Sequence, residues 1–512
     1  MQDESQWWTS PLLWLIIALL ATVPFFVVSV PPLTDLPNHI ASYDILLKID
    51  RSTFLSRYYD VHWHLIGNLG VDVIVRMIGP WFGAELSAKL IVGMIPALTV
   101  AGIYSVSRAL NGQVAPSALV ALPLVYNWPF ISGFVNFSLA GAIALLVFAL
   151  WIRLRDLGFV RRLLIFAPLS FATWVAHIAG WGLLGLAVAS FEIVRAYQLR
   201  GLKLGSLFGA ALQTLPFALM MLVTIVWRSE TSTPIGVYFA SDFFTSKFVS
   251  LATIFREEYR AWDIVSTLLF VTFTVASYLA GGMKFVLTSA VIAVAYILVF
   301  IVCPDGLFAG SFADRRLLPY AAIFVTLSVG MTHAALANER QLRLISLIAI
   351  GAIGFFVARI VVTTAVWERL NRSFETHLAL LEQLPLHSRI FALMVEPCEK
   401  SWPRGRLDHL QQLAVPRRES VENGLFQDLH PVEARYRKQT GFDPNMAAMV
   451  HDRSCPLPYV RETLQTAIAH FPRDQFDYVW LLAPDPLPGF DKTGLKLIGS
   501  IENDRLYKIE TR

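Results

Sequence analysis

Apolar runs of about 20 residues recur along the first two-thirds of this chain, and they constrain its fold more than any other feature. A helix needs about 20 mostly apolar residues to cross the roughly 30 Å hydrocarbon core of a bilayer. Runs that qualify or nearly do lie at about 11–30, 87–107, 114–131, 136–152, 163–178, 180–195, 205–227, 264–280, 285–302, 317–337 and 343–366. They predict about eleven transmembrane helices. Two pairs, 114–131 with 136–152 and 163–178 with 180–195, read as tight hairpins. The first run is not a cleavable signal: acidic Asp3 and Glu4 precede it, and Pro31 and Pro32 follow it in place of a small-residue cleavage site.

The chain has two compositions. Residues 367–512 hold 19 Lys+Arg and 20 Asp+Glu, 27% of that segment, whereas residues 1–366 are only 11% charged. The expected architecture is therefore an α-helical polytopic membrane domain over 1–366 and a small soluble α/β domain over 367–512. In the tail, 389–396 and 478–483 read as buried strands, 459–471 as a helix, and 495–501 with 506–509 as a hairpin. A net charge of +4 gives no reason to expect a nucleic-acid partner.

Basic residues orient the bundle. Arg108, then Arg153, Arg155, Arg161 and Arg162, then Arg195, Arg200 and Lys203, then Lys284, then Arg340 and Arg343 fall in alternate connections. The positive-inside rule makes that side cytoplasmic, with the N-terminus inside and the tail outside. The chain is expected in a bacterial cytoplasmic membrane with a periplasmic or extracellular tail. Three longer segments then lie outside: 31–86, 228–263 and 303–316. The first holds apolar, part-amphipathic stretches at 40–49 and 65–81 that suit the membrane face.

Residues able to carry chemistry are few in so apolar a chain. The most informative string is PLTDLPNHIASY at 32–43, just beyond the first helix. A carboxylate there, Asp35, has the right chemistry for a general base, and His39 follows one helical turn later. The other reading makes Asp35 the N-cap of a helix beginning near Pro37. The pair Arg315 and Arg316 breaks the charge bias by lying outside. Arginine grips phosphate through its planar fork, or it snorkels or pairs with Asp314. Asn127, Asn136, His177 and Arg359 are candidates to line an outer cavity, against structural roles for each. Asp60, His62 and His64 alternate in a pattern that forms a weak metal-binding candidate, the alternative being interfacial anchoring. Cys398 and Cys455 both lie in the tail, where an oxidising compartment would permit a disulfide.

Absent motifs narrow the field. No Walker motif, HExxH, GxSxG or DxD occurs, which argues against ATP-driven transport, zinc proteolysis, serine hydrolysis and a soluble metal-dependent nucleotide-sugar transferase.

A long outside loop after the first helix, with an acidic residue a few positions beyond the membrane, resembles the C-type superfamily of membrane glycosyltransferases. TDLPNHIASY (34–43) corresponds to the acidic first-loop motif of those enzymes. The D-x-P-N-H pattern, with NLGVDVIV (68–75), YNWPFISGFVNFSLA (126–140) and ADRRLLP (313–319), is similar to a group of uncharacterised bacterial members. The resemblance implies transfer of a sugar from a polyprenyl-phosphate or -diphosphate carrier to a glycan, lipid or protein acceptor on the non-cytoplasmic side, with inversion. It implies Asp35 as the base, His39 as a group that orients it, and Arg315 or Arg316 on the leaving phosphate. Many members carry two adjacent acids in this loop. Here Leu36 follows Asp35, which favours a mechanism without a metal or other cofactor. A transporter or flippase, or a scaffold subunit for lipid-linked glycans, is the competing expectation.

Overall fold

A computed structural model describes residues 6–201, 203–230, 237–240, 242–280, 283–307, 310–332, 338–398, 402–403, 405–426, 430–435, 449–454, 462–483 and 485–510. Each of the eleven apolar runs contains a helical segment, but among the described residues six helices, not eleven, are long and apolar enough to cross a membrane, or seven if a bent pair counts as one span. The six are α3 (Gly70–Asn111), α4 (Val135–Arg153), α5 (Phe159–Ala176), α6 (Ile178–Arg200), α10 (Arg260–Leu279) and α13 (Glu339–Leu378). The bent pair is α7 (Leu204–Gln213) and α8 (Leu215–Glu230), which turn by 66° at Thr214.

The remaining four runs form shorter helices, and local chemistry says why. α1 (Pro11–Leu20) stops before a 3-10 turn, Val23–Val27, that contains Pro24. The run 114–131 is mostly a 3-10 helix, Pro116–Tyr126, with Pro116 and Pro123 in it. Its rise of about 2 Å per residue covers distance with fewer residues than an α-helix. α11 is Leu287–Val302, and α12 (Leu318–Leu327) ends early because Val329–Met331 pairs as a strand with Met283–Phe285.

The segment 31–86 departs from expectation in one half. α2 (Leu36–Lys48) does not lie on the membrane face: its residues from Leu36 to Leu46 are all buried. It packs between α3 and the tail's 3-10 turn Leu410–Leu413. The second half does present apolar groups outward, including Met77, Trp81 and Phe82, before α3 breaks at Gly83 (φ +74°).

The tail forms a mixed sheet. β1 (Arg389–Glu396) runs parallel to β4 (Tyr478–Leu482), β2 (Val421–Glu422) and β3 (Met449–His451). Antiparallel strands β5 (Leu495–Ile501) and β6 (Asp504–Ile509) extend the β4 side. Alternate residues of β1 serve two cores, as strand periodicity requires. Phe391, Leu393 and Val395 pack on α14 (Leu464–His470), while Ile390, Ala392 and Met394 belong to the core of the bundle. The composition step at Trp367 lies inside α13, which runs unbroken past it to Leu378; the sheet begins only after a further 3-10 turn, Ala379–Gln383. The tail is also sewn to the first outside loop, because Tyr59–Val61 pairs antiparallel with Val432–Ala434.

Candidate functional site

The backbone places Asp35 by a close approach of two loops. Its N–H donates to the Ser132 carbonyl at 3.1 Å. Gly133 sits at φ +87°, and a Cβ there would come within 2.6 Å of the Asp35 nitrogen. Only glycine combines that backbone conformation with that contact. Asp35 is the N-cap residue of α2 by position, its carbonyl accepting from the His39 N–H at 3.2 Å, but its side chain makes no capping bond. Its carboxylate faces a cavity of about 1700 Å³ instead.

Four other sequence candidates share that cavity: His39, Asn136, His177 and Arg316. Arg316 is half-buried, and its positive charge lies in the field of Asp35. One terminal nitrogen is 2.8 Å from His177 Nε2 and the other donates to the Ser311 carbonyl at 3.3 Å. The guanidinium packs on Phe134 and Phe137, with 4.6 and 5.6 Å to the ring centroids. His177 Nδ1 accepts from the Ala179 N–H at 3.0 Å. Both ring nitrogens thus face N–H donors, an environment hostile to an imidazolium. Asn136 is a brace at the cavity wall: Oδ1 accepts from the Val71 N–H at 2.6 Å, and Nδ2 donates to the Asn68 carbonyl and to Asp72.

The other candidates lie elsewhere. Arg315 is adjacent to Arg316 in a 3-10 turn, where successive side chains diverge by about 120°. It stacks on Trp128 and Phe312, 5.1 and 4.9 Å from their centroids, beside a separate small crevice. Asn127 caps the short helix Trp128–Ile131, accepting from the Phe130 N–H at 3.2 Å. Arg359 neither reaches the cavity nor snorkels: it is buried against Asp263 at 3.1 Å and Glu257 at 3.3 Å, tying α13 to α10. A charge enclosed in an apolar bundle needs such partners. Asp60 holds Arg435 in a two-pronged pair at 2.9 and 2.6 Å. His62 and His64 are outside the cavity lining, and His64 Nδ1 lies 2.9 Å from its neighbour's carbonyl oxygen. Among the described residues no three His, Cys, Asp or Glu side chains group as a metal site. Cys303 lines the cavity as a free thiol. Cys398 lines it too, while Cys455 lies outside the described residues.

The tail supplies a share of the site that sequence reasoning missed. His409 Nε2 stands 3.7 Å from Asp35 Oδ1. The His430 ring is 5.2 Å from His39, and Phe426 packs against His39, His409 and His430. Burial, reinforced by His430 and His409, holds the His39 pKa well below the usual imidazole value, and burial lowers His430 to about 4. Both are neutral at pH 7. Arg406 anchors this loop by donating to the carbonyls of Pro32 (2.7 Å), Ile131 (3.2 Å) and Glu257 (3.3 Å). Asn38 adds a reciprocal pair, donating to the Gly424 carbonyl and accepting from the Phe426 N–H. No spacing in RGRLDHLQQL (404–413) announces these contacts, because they form only when two distant segments dock.

The cavity has an apolar arm lined by Leu183 and Leu186 of α6, Met221 of α8 and Val299 of α11. It has a polar arm that reaches the tail's sheet at Glu396, His451 and Asp485.

No family model matches the chain, and no curated protein matches it. Two solved structures share its fold. The crystal structure of ArnT from Cupriavidus metallidurans bound to undecaprenyl phosphate aligns with a TM-score of 0.51 at 12% identity, covering 97% of each chain. The apo structure of the same protein aligns equally well. The alignment spans bundle and tail together, so the two-part architecture as a whole shares the fold of ArnT.

Proposed function

We propose that this protein is a membrane glycosyltransferase that moves a sugar from a polyprenyl-phosphate or -diphosphate carrier to an acceptor hydroxyl on the non-cytoplasmic side of a bacterial inner membrane, with inversion. The observation that carries the reading is the placement of Asp35 and Arg316 on one large cavity with an apolar arm between helices of the bundle. The shared fold with ArnT, solved with undecaprenyl phosphate, supports the same reading.

The chemistry follows from the charges. The Asp35 carboxylate takes the proton from the acceptor hydroxyl as its oxygen attacks the anomeric carbon. The bond from that carbon to the phosphate oxygen breaks, and the carrier phosphate leaves. Arg316 stabilises the charge that develops there. His177 orients that guanidinium. Arg256, also on the cavity wall, adds positive charge. The apolar arm takes the first isoprene units of the carrier. In this reading all eleven apolar segments sit in the membrane, with the N-terminus cytoplasmic and the tail outside.

The test is transfer by the detergent-purified protein from a panel of undecaprenyl-phosphate-linked radiolabelled sugars. Asp35→Asn, which keeps size and polarity, is expected to lose transfer by about a thousandfold or more while its melting curve stays wild-type. Full activity in that variant overturns the assignment of the base. Carrier translocation across vesicles with no sugar released favours the flippase reading.

A further inference from the structure

One buried carboxyl of the tail lies outside the cavity lining, yet it stands at the root of both tail segments that reach Asp35. Glu422, on β2, is fully enclosed. Its Oε2 accepts from the Gly424 N–H at 2.7 Å, and its own N–H donates to the Tyr59 hydroxyl at 3.4 Å. The Gln412 side chain faces its carboxyl. Its register partner on β1 is the apolar Ile390.

Two segments run from this point to Asp35. Gln412 lies one 3-10 turn beyond His409, whose Nε2 is 3.7 Å from Asp35 Oδ1. The Gly424 carbonyl accepts from Asn38 Nδ2 at 2.8 Å, and the Phe426 N–H donates to Asn38 Oδ1 at 2.9 Å. Asn38 belongs to the first turn of α2, just after Asp35, and Phe426 packs on His39 and His409. One carboxyl thus joins the two stretches of tail that close over the candidate base.

The protonation state of that carboxyl matters because an enclosed carboxylate is costly unless a positive charge answers it. The charged residues next to it in sequence are engaged elsewhere. Arg417 pairs with Glu85, Arg418 donates to the Leu381 carbonyl, and Glu419 accepts from Ser52. The titratable group that faces it from another element is the Tyr59 phenol, which burial and Glu422 push upward, so it stays neutral. Burial accordingly raises the Glu422 carboxyl from 4.5 to about 8.

We propose that Glu422 is a positioning residue: its protonated carboxyl latches residues 405–426 over Asp35, and alkaline surroundings release that latch. The site is thereby regulated by the pH of the compartment that the tail faces. The sign follows from linkage. An opened segment lets Glu422 ionise at the ordinary carboxylate value, so opening releases a proton and rising pH favours it, by up to about tenfold per pH unit. Above about 8 the closed form ionises too, and the dependence levels off. The inference rests on the glycosyltransferase reading for what the latch regulates, but the latch itself can be measured without turnover.

The experiment follows backbone hydrogen exchange in the full-length protein in detergent, between about pH 6 and 9, with rates divided by those of unstructured peptides. Helix α14, packed on β1, is the internal reference. Protection over 405–426 is expected to fall at least about tenfold from pH 6 to 8 while that of α14 changes little. Glu422→Gln imitates the protonated carboxyl and is expected to keep 405–426 protected across the range. Tyr59→Phe leaves Glu422 in place and is expected to retain the alkaline fall. Transfer from undecaprenyl-phosphate-linked sugars should drop about threefold or more between pH 7 and 9 in the wild type and hold steady in Glu422→Gln. Wild-type protection that ignores pH overturns the proposal, as does an alkaline fall that persists in Glu422→Gln or disappears in Tyr59→Phe. A wild type that transfers no sugar counts against the glycosyltransferase reading and leaves the exchange result standing.

Discussion

The membrane bundle and the tail handle charge in opposite ways. In the bundle, buried charges are few and are answered locally. Arg162 meets Glu192 at 2.7 Å, Lys247 meets Asp314 at 2.7 Å, and Arg359 meets both Asp263 and Glu257. In the tail, charges are frequent and many stand at the surface. Yet the tail's buried Arg406 sends its hydrogen bonds across to main-chain carbonyls at the bundle's outer mouth. The difference teaches where the site lies. The candidate site is not a property of the membrane domain with an appendage. It forms at the junction, where the bundle contributes Asp35, His39, His177 and Arg316 and the tail contributes His409, His430 and Phe426.

Beyond the loss expected for Asp35→Asn, the sharpest way to test that junction is to remove its anchor. Arg406→Ala removes the donor to the Pro32 and Glu257 carbonyls, while the Ile131 carbonyl keeps the Thr34 N–H, and is expected to cost about 3 kcal/mol. Tail and bundle should then melt apart, visible as a second thermal transition and faster proteolysis of the tail. A single unshifted transition would mean that the contacts at the junction are incidental. Next in size, the neighbours Arg315 and Arg316 should separate. Arg316→Ala is expected to lower transfer about a hundredfold, as loss of one charge-stabilising donor does. Arg315→Ala should leave turnover near wild type, since that side chain faces another crevice.

Acidification is a gentler probe of the same junction. His39 and His430 titrate below the ordinary imidazole value of 6.5 when folded. The unfolded chain therefore binds protons that the folded chain does not. Their contribution to stability is full above about pH 6.5 and falls as pH drops toward 4, the folded value of His430, whereas Glu422, raised by burial to about 8, contributes with the opposite sign. A His430→Asn variant whose melting temperature follows the wild-type pH dependence across this window would contradict the packing of these imidazoles. Smallest of all, Asp60→Asn removes an exposed pair with Arg435 and is expected to leave the melting temperature nearly unchanged.

Much of the architecture could be read before any coordinates. The strands 389–396 and 478–482 and the hairpin after 495 stand where period and turn residues put them. Each apolar run contains a helical segment, though six helices, not eleven, have the length and composition to span. Length was the weaker inference, because hydropathy does not register a proline-bearing 3-10 segment such as Pro116–Tyr126, or a strand such as Val329–Met331 that ends a run early. Asp35 stood out because a lone carboxylate beside prolines is rare in so apolar a chain. Which arginine of the pair 315–316 faces Asp35 was not legible, since that depends on the phase of one short turn.

The sequence alone determined what is set by local physics. The apolar runs point to membrane insertion because burying polar groups in lipid is costly, and the strand periods of the tail mark its sheet. The tertiary structure alone decided which groups meet. Asp35 and His409 are separated by more than 370 residues, and Gly133 admits the Asp35 backbone from a third segment. Proximity of that kind comes from the docking of segments whose local patterns are independent of one another, so no periodicity within either segment encodes it.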